Sequence, residues 1–288
     1  MNGKKRGIRW IIQLLSTVFF NGYFAGFAKG NIYKGSLKNI CVPVLNCYSC
    51  PGALGSCPIG SLQAVIGSRN FNISFYVLGT IALFGVLLGR IVCGFLCPFG
   101  FIQELLYKIP LPKIKVNKKV DKIFRWFKYF QLITFVILLP IFITNKFGVS
   151  EPYFCKWICP VGILEGGIGL VLTNESLKKA IGFLFWWKFG ILMLVLVSSI
   201  FIERSFCKYM CPLGAFYGLF NKFSLYRLNY SKEKCINCKA CEKVCPMNID
   251  VTINCNSVEC IRCGKCKNIC PTEALNGEFL GKNTRKKR

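Results

Sequence analysis

The sequence predicts an all-α transmembrane four-helix domain, a tandem repeat with re-entrant or interfacial short helices, followed by a small α+β domain. Three observations carry this expectation. Four apolar stretches approach the about 20 residues that a bilayer crossing takes. A cysteine–proline motif recurs at matching points of two halves, and beyond about Asn229 long apolar runs give way to cysteine, lysine and asparagine. Of 288 residues, 53% are hydrophobic and 17% charged, with mean hydropathy +0.45, whereas ordinary soluble domains carry about 25% charged residues.

The expected spans run from Ile8 to Ala28, Ile73 to Val92, Phe124 to Thr144 and Ile181 to Ile202. Trp10, Trp126, Trp186 and Trp187 lie near their ends, where an interfacial aromatic belt would put them. The basic flank Lys4, Lys5, Arg6 and Arg9 also suits a signal peptide, but no convincing small-residue cleavage site follows, so a retained helix is expected. The stretch Val161 to Leu172 is too short to cross and reads as re-entrant or interfacial.

Loop charge sets the orientation. Lys108, Lys113, Lys115, Lys118, Lys119 and Lys122, followed by Arg125 and Lys128, mark the connection between spans two and three as cytoplasmic. The next connection is nearly balanced, with Lys146, Lys156, Lys178 and Lys179 against Glu151, Glu165 and Glu175. Both termini of a multi-pass cell-membrane protein then lie in the cytoplasm. Lys29, Lys34, Lys38 and Arg69, in the first external loop, weigh against that assignment.

Net charge is +26, from 38 Lys+Arg against 12 Asp+Glu. The basic residues flank apolar spans instead of forming one face, so the expected partner is a lipid bilayer and not nucleic acid. The absence of histidine excludes His-ligated haem, Rieske centres, His-containing zinc sites and His general bases. Nineteen cysteines remain, and soft thiolates select Fe–S clusters, zinc or Cu(I).

The C-terminal segment, residues 229–288, is roughly sixty residues long, too small for a sizeable core without a metal staple. Two runs in it read C-x2-C-x2-C-x3-C-P: Cys235, Cys238, Cys241, Cys245, Pro246, and Cys260, Cys263, Cys266, Cys270, Pro271. In this motif the close trio wraps one cubane and the fourth cysteine ligates the other. One [4Fe–4S] cluster is therefore assigned to Cys235, Cys238, Cys241 and Cys270, and a second to Cys260, Cys263, Cys266 and Cys245. The segment is expected to be a ferredoxin-like domain. Zinc would need separated pairs, and disulfides are disfavoured on a reducing side. Cys255 falls outside both runs and reads as a spare thiol.

The membrane part, residues 1–228, carries Cys93-x3-Cys97-Pro98, Cys155-x3-Cys159-Pro160 and Cys207-x3-Cys211-Pro212, with a looser Cys50-x6-Cys57-Pro58. A proline just inside a helix puts the preceding cysteine at the helix N-terminus, where the dipole favours thiolate. CPIGSLQAVIG at 57–67 matches CPVGILEGGIG at 159–169, and RIVCGFLCPFG at 90–100 matches RSFCKYMCPLG at 204–214. The halves run from about 8 to 110 and 124 to 228, as same-direction repeats about an axis along the membrane normal. A third cluster is expected on Cys93, Cys97, Cys207 and Cys211. The external motifs supply Cys50, Cys57, Cys155 and Cys159 for a fourth; disulfides are the alternative there, and Cys41 and Cys47 fit either arrangement.

Arg90 and Arg204 each precede a cytoplasmic cysteine by three residues, and fit either tuning of a cluster or interfacial snorkelling. Lys188 lies inside the fourth span, a functional candidate or a snorkelling residue. Glu165 suits a proton relay or a helix cap. The basic tail Arg285–Arg288 reads as a lipid contact or a dock for an acidic cytoplasmic ferredoxin or flavodoxin.

Helices with C-x3-C-P motifs ahead of a two-cluster tail resemble the NapH-type membrane polyferredoxins, including quinol dehydrogenase membrane components. The resemblance implies four spans, cytoplasmic termini, and electron transfer between a quinone or cytoplasmic donor and a redox partner protein on the outer face. Cys93, Cys97, Cys207 and Cys211 match that family's membrane motifs. The external cysteines exceed its pattern and suggest a redox centre on the outer face. No acid–base or nucleophilic constellation appears, so no catalytic residue is assigned; the chain reads as an electron-transfer subunit of an oxidoreductase. The alternatives are a redox-linked assembly or maturation factor and a redox sensor using the same clusters.

Overall fold

The computed structural model describes residues 3–68, 75–146 and 149–279, without the side chains of 3–6. Arg69, the tail Arg285–Arg288 and the side chains of Lys4, Lys5 and Arg6 lie outside the described residues.

In the first half, α1 (Gly3–Phe20) ends well before the expected Ala28. The chain turns there because the Tyr23 N–H donates to Gly52 O at 3.1 Å, and a separate α2 (Phe24–Lys29) closes on Gly30 with φ 63°. After a long loop come α3 (Pro58–Ile66), α4 (Phe75–Leu88), α5 (Ile91–Phe95) and α6 (Pro98–Leu106). Gly89, with φ 57°, separates α4 from α5. At 14 residues, α4 measures about 21 Å at about 1.5 Å per residue.

The second half repeats the order with α7 (Lys118–Phe142), α8 (Tyr153–Trp157), α9 (Gly162–Thr173), α10 (Glu175–Lys179), α11 (Phe183–Phe201), α12 (Ser205–Tyr209) and α13 (Pro212–Phe220). Among the described residues, α7 and α11 are long and apolar enough to cross a membrane; Gly7–Phe20 of α1, α4 and α9 are apolar but shorter. Two candidate spans are thus found among the described residues where the sequence predicts four; the expected first and second spans are described with side chains only from Gly7 and from Phe75 onward. Only 17% of the apolar window of α11 is buried, leaving Phe183, Trp186 and Leu194 exposed. A core helix of a water-soluble protein would hide such side chains; lipid is the solvent that accepts them.

Both halves contribute to one core, in which Cys93, Cys97, Phe99, Phe154, Cys159, Val161, Phe206, Cys211 and Tyr217 are buried together. Met247, Ile249 and Ile261 of the C-terminal segment join it, so that segment is packed onto the helices. It is framed by β1 (Tyr226–Tyr230) and β2 (Leu275–Phe279), antiparallel with Leu228 opposite Gly277. Two short helices, α14 (Ala240–Lys243) and α15 (Lys265–Ile269), lie between the strands.

Candidate iron–sulfur cluster sites

In the C-terminal segment the structure gathers the cysteines in two fours. Cys235, Cys238, Cys241 and Cys270 line one cavity, and Cys245, Cys260, Cys263 and Cys266 line another. The trio in each comes from one loop and the fourth from the other run. Cys255 also borders the second cavity, but its thiol donates to Leu228 O at 3.1 Å.

Local backbone explains the gathering. Positive φ recurs at equivalent points of the two runs: Asn237 and Arg262, Lys239 and Gly264, Asn248 and Glu273. Within each trio the left-handed residues (Asn237 and Lys239, Arg262 and Gly264) reverse the chain so that the next cysteine turns back toward the same centre, and alternating conformations of this kind aim N–H groups at an anion. The Asn237 N–H donates to Cys235 Sγ and the Arg262 N–H to Cys260 Sγ, both at 3.4 Å. Burial pushes the Cys260 thiol up to about 12, so its thiolate needs positive charge such as iron supplies.

Cys93, Cys97, Cys207 and Cys211 converge on a third cavity, drawn from both halves. The three C-x3-C-P motifs share one local form. The first cysteine sits in a one-turn helix (α5, α8 or α12), the second follows a break, and proline starts the next helix. Cys97 and Cys211 are N-caps with extended backbone, and the Gly214 N–H donates to Cys211 Sγ at 3.3 Å.

Arg90 and Arg204 are fully buried and do not snorkel. They strap the halves together. Arg90 Nη2 donates to Cys207 O at 3.2 Å, and Arg204 Nη1 donates to Cys93 O. Arg204 Nε also binds Glu104 at 2.6 Å, and Glu104 pairs with Arg9. Gln103, on α6, accepts from Phe206 N–H at 3.1 Å and donates to Cys207 Sγ at 3.3 Å.

Two orphaned donors test whether clusters fit. Arg90 Nε and Arg262 Nε are buried without a protein acceptor, and these arginines line the Cys93 and Cys260 cavities respectively. An unmade buried hydrogen bond costs about 1–3 kcal/mol, and the sulfur atoms of an anionic cluster would supply acceptors. Among the described residues, no three Cys, Asp or Glu side chains close tightly enough around a point to hold one metal ion. A cubane, with one thiolate per iron, spreads its ligands more widely, and the residues fit it.

The external motifs behave differently from their spacing. Cys57, Cys155 and Cys159 line one cavity of about 390 Å³, but the fourth cysteine on it is Cys47. Cys50 is buried elsewhere, with Sγ 3.4 Å from Asn21 Oδ1. Cys41 is also buried apart from this cavity, its N–H donating to Tyr76 at 3.3 Å. All nineteen cysteines are free of disulfides. Lys188 Nζ donates to Cys155 O at 3.1 Å and borders the same cavity. Glu165 Oε2 accepts from the Cys47 N–H at 2.8 Å.

The C-terminal segment docks onto the Cys93 set. Glu259 meets Arg90 Nη1 at 3.2 Å, Tyr129 at 3.2 Å, and Lys128. Although burial favours its neutral form, Arg90 and Lys128 hold its carboxyl below the usual range. Arg262 donates to Asn221 O at 2.7 Å and Leu88 O at 3.1 Å, while Asn221 Nδ2 donates to Cys260 O at 2.8 Å. None of these contacts was legible in sequence, because each joins residues more than a hundred positions apart except those around Asn221.

Comparison with known proteins agrees with this picture. A family model described as a 4Fe-4S binding domain (Fer4_5) matches residues 71–119, 132–177 and 183–230. A second 4Fe-4S binding domain model (Fer4) matches 228–249 and 256–276. The uncharacterized protein MJ0750 of Methanocaldococcus jannaschii is 33% identical over 202 residues, 68% of this chain and 75% of that one. The methylamine utilization ferredoxin-type protein MauN of Paracoccus denitrificans is 27% identical over 235 residues, 80% and 71% of the respective chains. The ferredoxin-type protein NapH of Haemophilus influenzae is 26% identical over 233 residues, 80% and 70%. No solved structure matches.

Proposed function

Because this chain belongs to the NapH-type polyferredoxin family of iron–sulfur electron-transport proteins, we propose that it relays electrons between a cytoplasmic or quinone donor and an acceptor protein at the outer membrane face. The observation that carries this reading is the succession of four-cysteine cavities. The Cys235 set adjoins the Cys260 set by sharing its two motif runs. The loop bearing Cys260 then lies against Gly94, inside the Cys93-x3-Cys97 motif, where a Cβ would stand 2.4 Å from Ile261 O.

Bound [4Fe–4S] clusters supply one-electron carriage. The chain's own residues supply the rest. Eight tail cysteines would hold two clusters in the interleaved fours, and Cys93, Cys97, Cys207 and Cys211 a third. Val92, Phe99, Phe206 and Tyr217, none more than 1% exposed, exclude water around that third set. Arg90 and Arg204 offset negative charge beside it, a lever that raises cluster potential. In this reading α7 and α11 span the bilayer, α1 and α4 cross with them, and residues 229–288 form a cytoplasmic domain.

Iron and sulfide quantitation on anaerobically purified protein tests the proposal. At about four irons per cubane, about twelve or more irons per chain are expected, and Cys211→Ser is expected to lose about four of them. A Cys211→Ser protein with unchanged iron would remove the membrane set from the relay. Quinol-linked reduction of the clusters supports relay; clusters that merely decay under oxidant without turnover would overturn it in favour of a sensor.

A further inference from the structure

We propose that Cys47, Cys57, Cys155 and Cys159 form a binding site for a further [4Fe–4S] cluster, and that Cys50, which the motif spacing singles out, is not a ligand. The inference rests on the reading that the membrane cysteines hold clusters, and it identifies a ligand set which motif spacing misassigns.

The first support is convergence. Four thiols from three separate segments border a single cavity of about 390 Å³. A lone zinc ion sits about 2.3 Å from each sulfur, and no such tight group exists among the described residues. The room and the spread suit a cubane.

The second support is the repeat. The sixth residue after each motif cysteine is polar: Gln63, Gln103, Glu165 and Tyr217. Gln103 holds the Phe206 N–H and touches the sulfur of the next residue, Cys207. Gln63 does the same for the external motif, accepting from Phe154 N–H at 3.0 Å and donating to Cys155 Sγ at 3.4 Å. Each reaches from the first half to a cysteine of the second. Glu165 reaches the other way, and the backbone it holds is that of Cys47. Cys50 receives no such tether. Its thiol faces Asn21 instead.

The glycines tell the same story. Gly60 and Gly162 each stand three residues after a motif cysteine. A Cβ on Gly60 would lie 3.8 Å from Cys155 Sγ, and one on Gly162 would lie 3.7 Å from Cys47 Sγ and 3.2 Å from Lys188 Nζ. Each glycine therefore lies in van der Waals reach of a thiol of the opposite half, which places Cys47 and Cys155 beside the two motif turns. The Lys188 ammonium, held by Cys155 O, offers positive charge to a thiolate cluster in a weakly screening environment.

Position adds a last point. Leu45 borders both this cavity and that of the Cys93 set. The Tyr217 hydroxyl, on the helix that Cys211 caps, donates to Pro43 O at 3.0 Å. The loop carrying Cys47 is thus folded inward, between the two sets, instead of lying over the surface.

The test uses the full-length protein, purified anaerobically, with iron, sulfide and zinc quantitation and EPR of the reduced state. About sixteen irons per chain are expected, four per cubane. Cys47→Ser and Cys57→Ser should each lose about four irons while the tail-cluster EPR signals persist, which also reports folding. Cys50→Ser should keep all of them. Loss of four irons in Cys50→Ser but not in Cys47→Ser would overturn the ligand set. A wild-type chain with about twelve irons, or with zinc lost on Cys47→Ser, would overturn the cluster while leaving the relay reading intact. Only about eight irons in the wild type would overturn both.

Discussion

Three arginines, Arg90, Arg204 and Arg262, head the largest fully buried side chains of the molecule. Sequence leaves an arginine near a helix end ambiguous, since a long side chain reaches water as readily as it turns inward. Here each turns inward, because backbone carbonyls of another part of the chain await it: Cys207 O of the second half and Val258 O of the C-terminal segment for Arg90, Cys93 O of the first half for Arg204, and Leu88 O and Asn221 O of the two halves for Arg262. Glu259 balances Arg90 and Lys128 together. Removing one partner of a buried ion pair costs about 3–5 kcal/mol because a charge is left uncompensated. Glu259→Gln is therefore expected to loosen the docked segment, with faster amide exchange at 257–263 and easier proteolysis near Asn221. Unchanged protection would show that the docking rests on the apolar contacts of Ile261 and Met247 instead.

The recurring element is a one-turn helix, a break and a proline-started helix, used three times with a cysteine at each corner. Its proline was legible as a helix start because a missing N–H costs nothing in the first turn. Its intervening residues were not, because their role depends on what packs above them. Gly94 lies under the backbone of Ile261, and a Cβ there would come within 2.4 Å of that carbonyl. Backbone cannot swing aside as a side chain tip does. Gly94→Ala is expected to cost about 1–3 kcal/mol through overpacking, which speeds exchange at 257–263 about tenfold per 1.4 kcal/mol. Lys208, at the matching position of the second half, is buried and pairs with Asp121 instead, so Lys208→Ala should destabilise by stranding that carboxylate and not by a clash with the docked segment. Unchanged exchange at 257–263 in Gly94→Ala would show that the docked segment does not depend on this close approach.

At the scale of the whole molecule, the membrane cavities each draw cysteines from both halves, so neither half completes a set alone. That arrangement ties the cofactor sites to the pairing of the repeats. The first half nevertheless departs from its partner: its loop from Cys41 to Ser56 folds into the core, forming a bridge between those two residues. With the C-terminal segment docked on the lysine-rich side, a fluorescent protein fused to the C-terminus is expected to glow in the cytoplasm. An alkaline phosphatase fused there should be inactive. Active phosphatase would reverse the orientation and put the C-terminal clusters outside.

The gathering of the C-terminal cysteines was readable from spacing, because three cysteines of each set lie within seven residues and left-handed turns close such short loops locally. Each pair, Cys93 with Cys97 and Cys207 with Cys211, is likewise local, but their meeting in one cavity joins the two halves and was readable only from the repeat. Only tertiary structure distinguished Cys47 from Cys50. They differ by three positions in a loop without regular pattern, and what separates them is a carboxylate, Glu165, that is distant in sequence and reaches one backbone N–H and not the other. Local chemistry sets which cysteines gather where the chain itself brings them together; where a long loop must return, the partner that anchors the loop decides which cysteine borders the cavity.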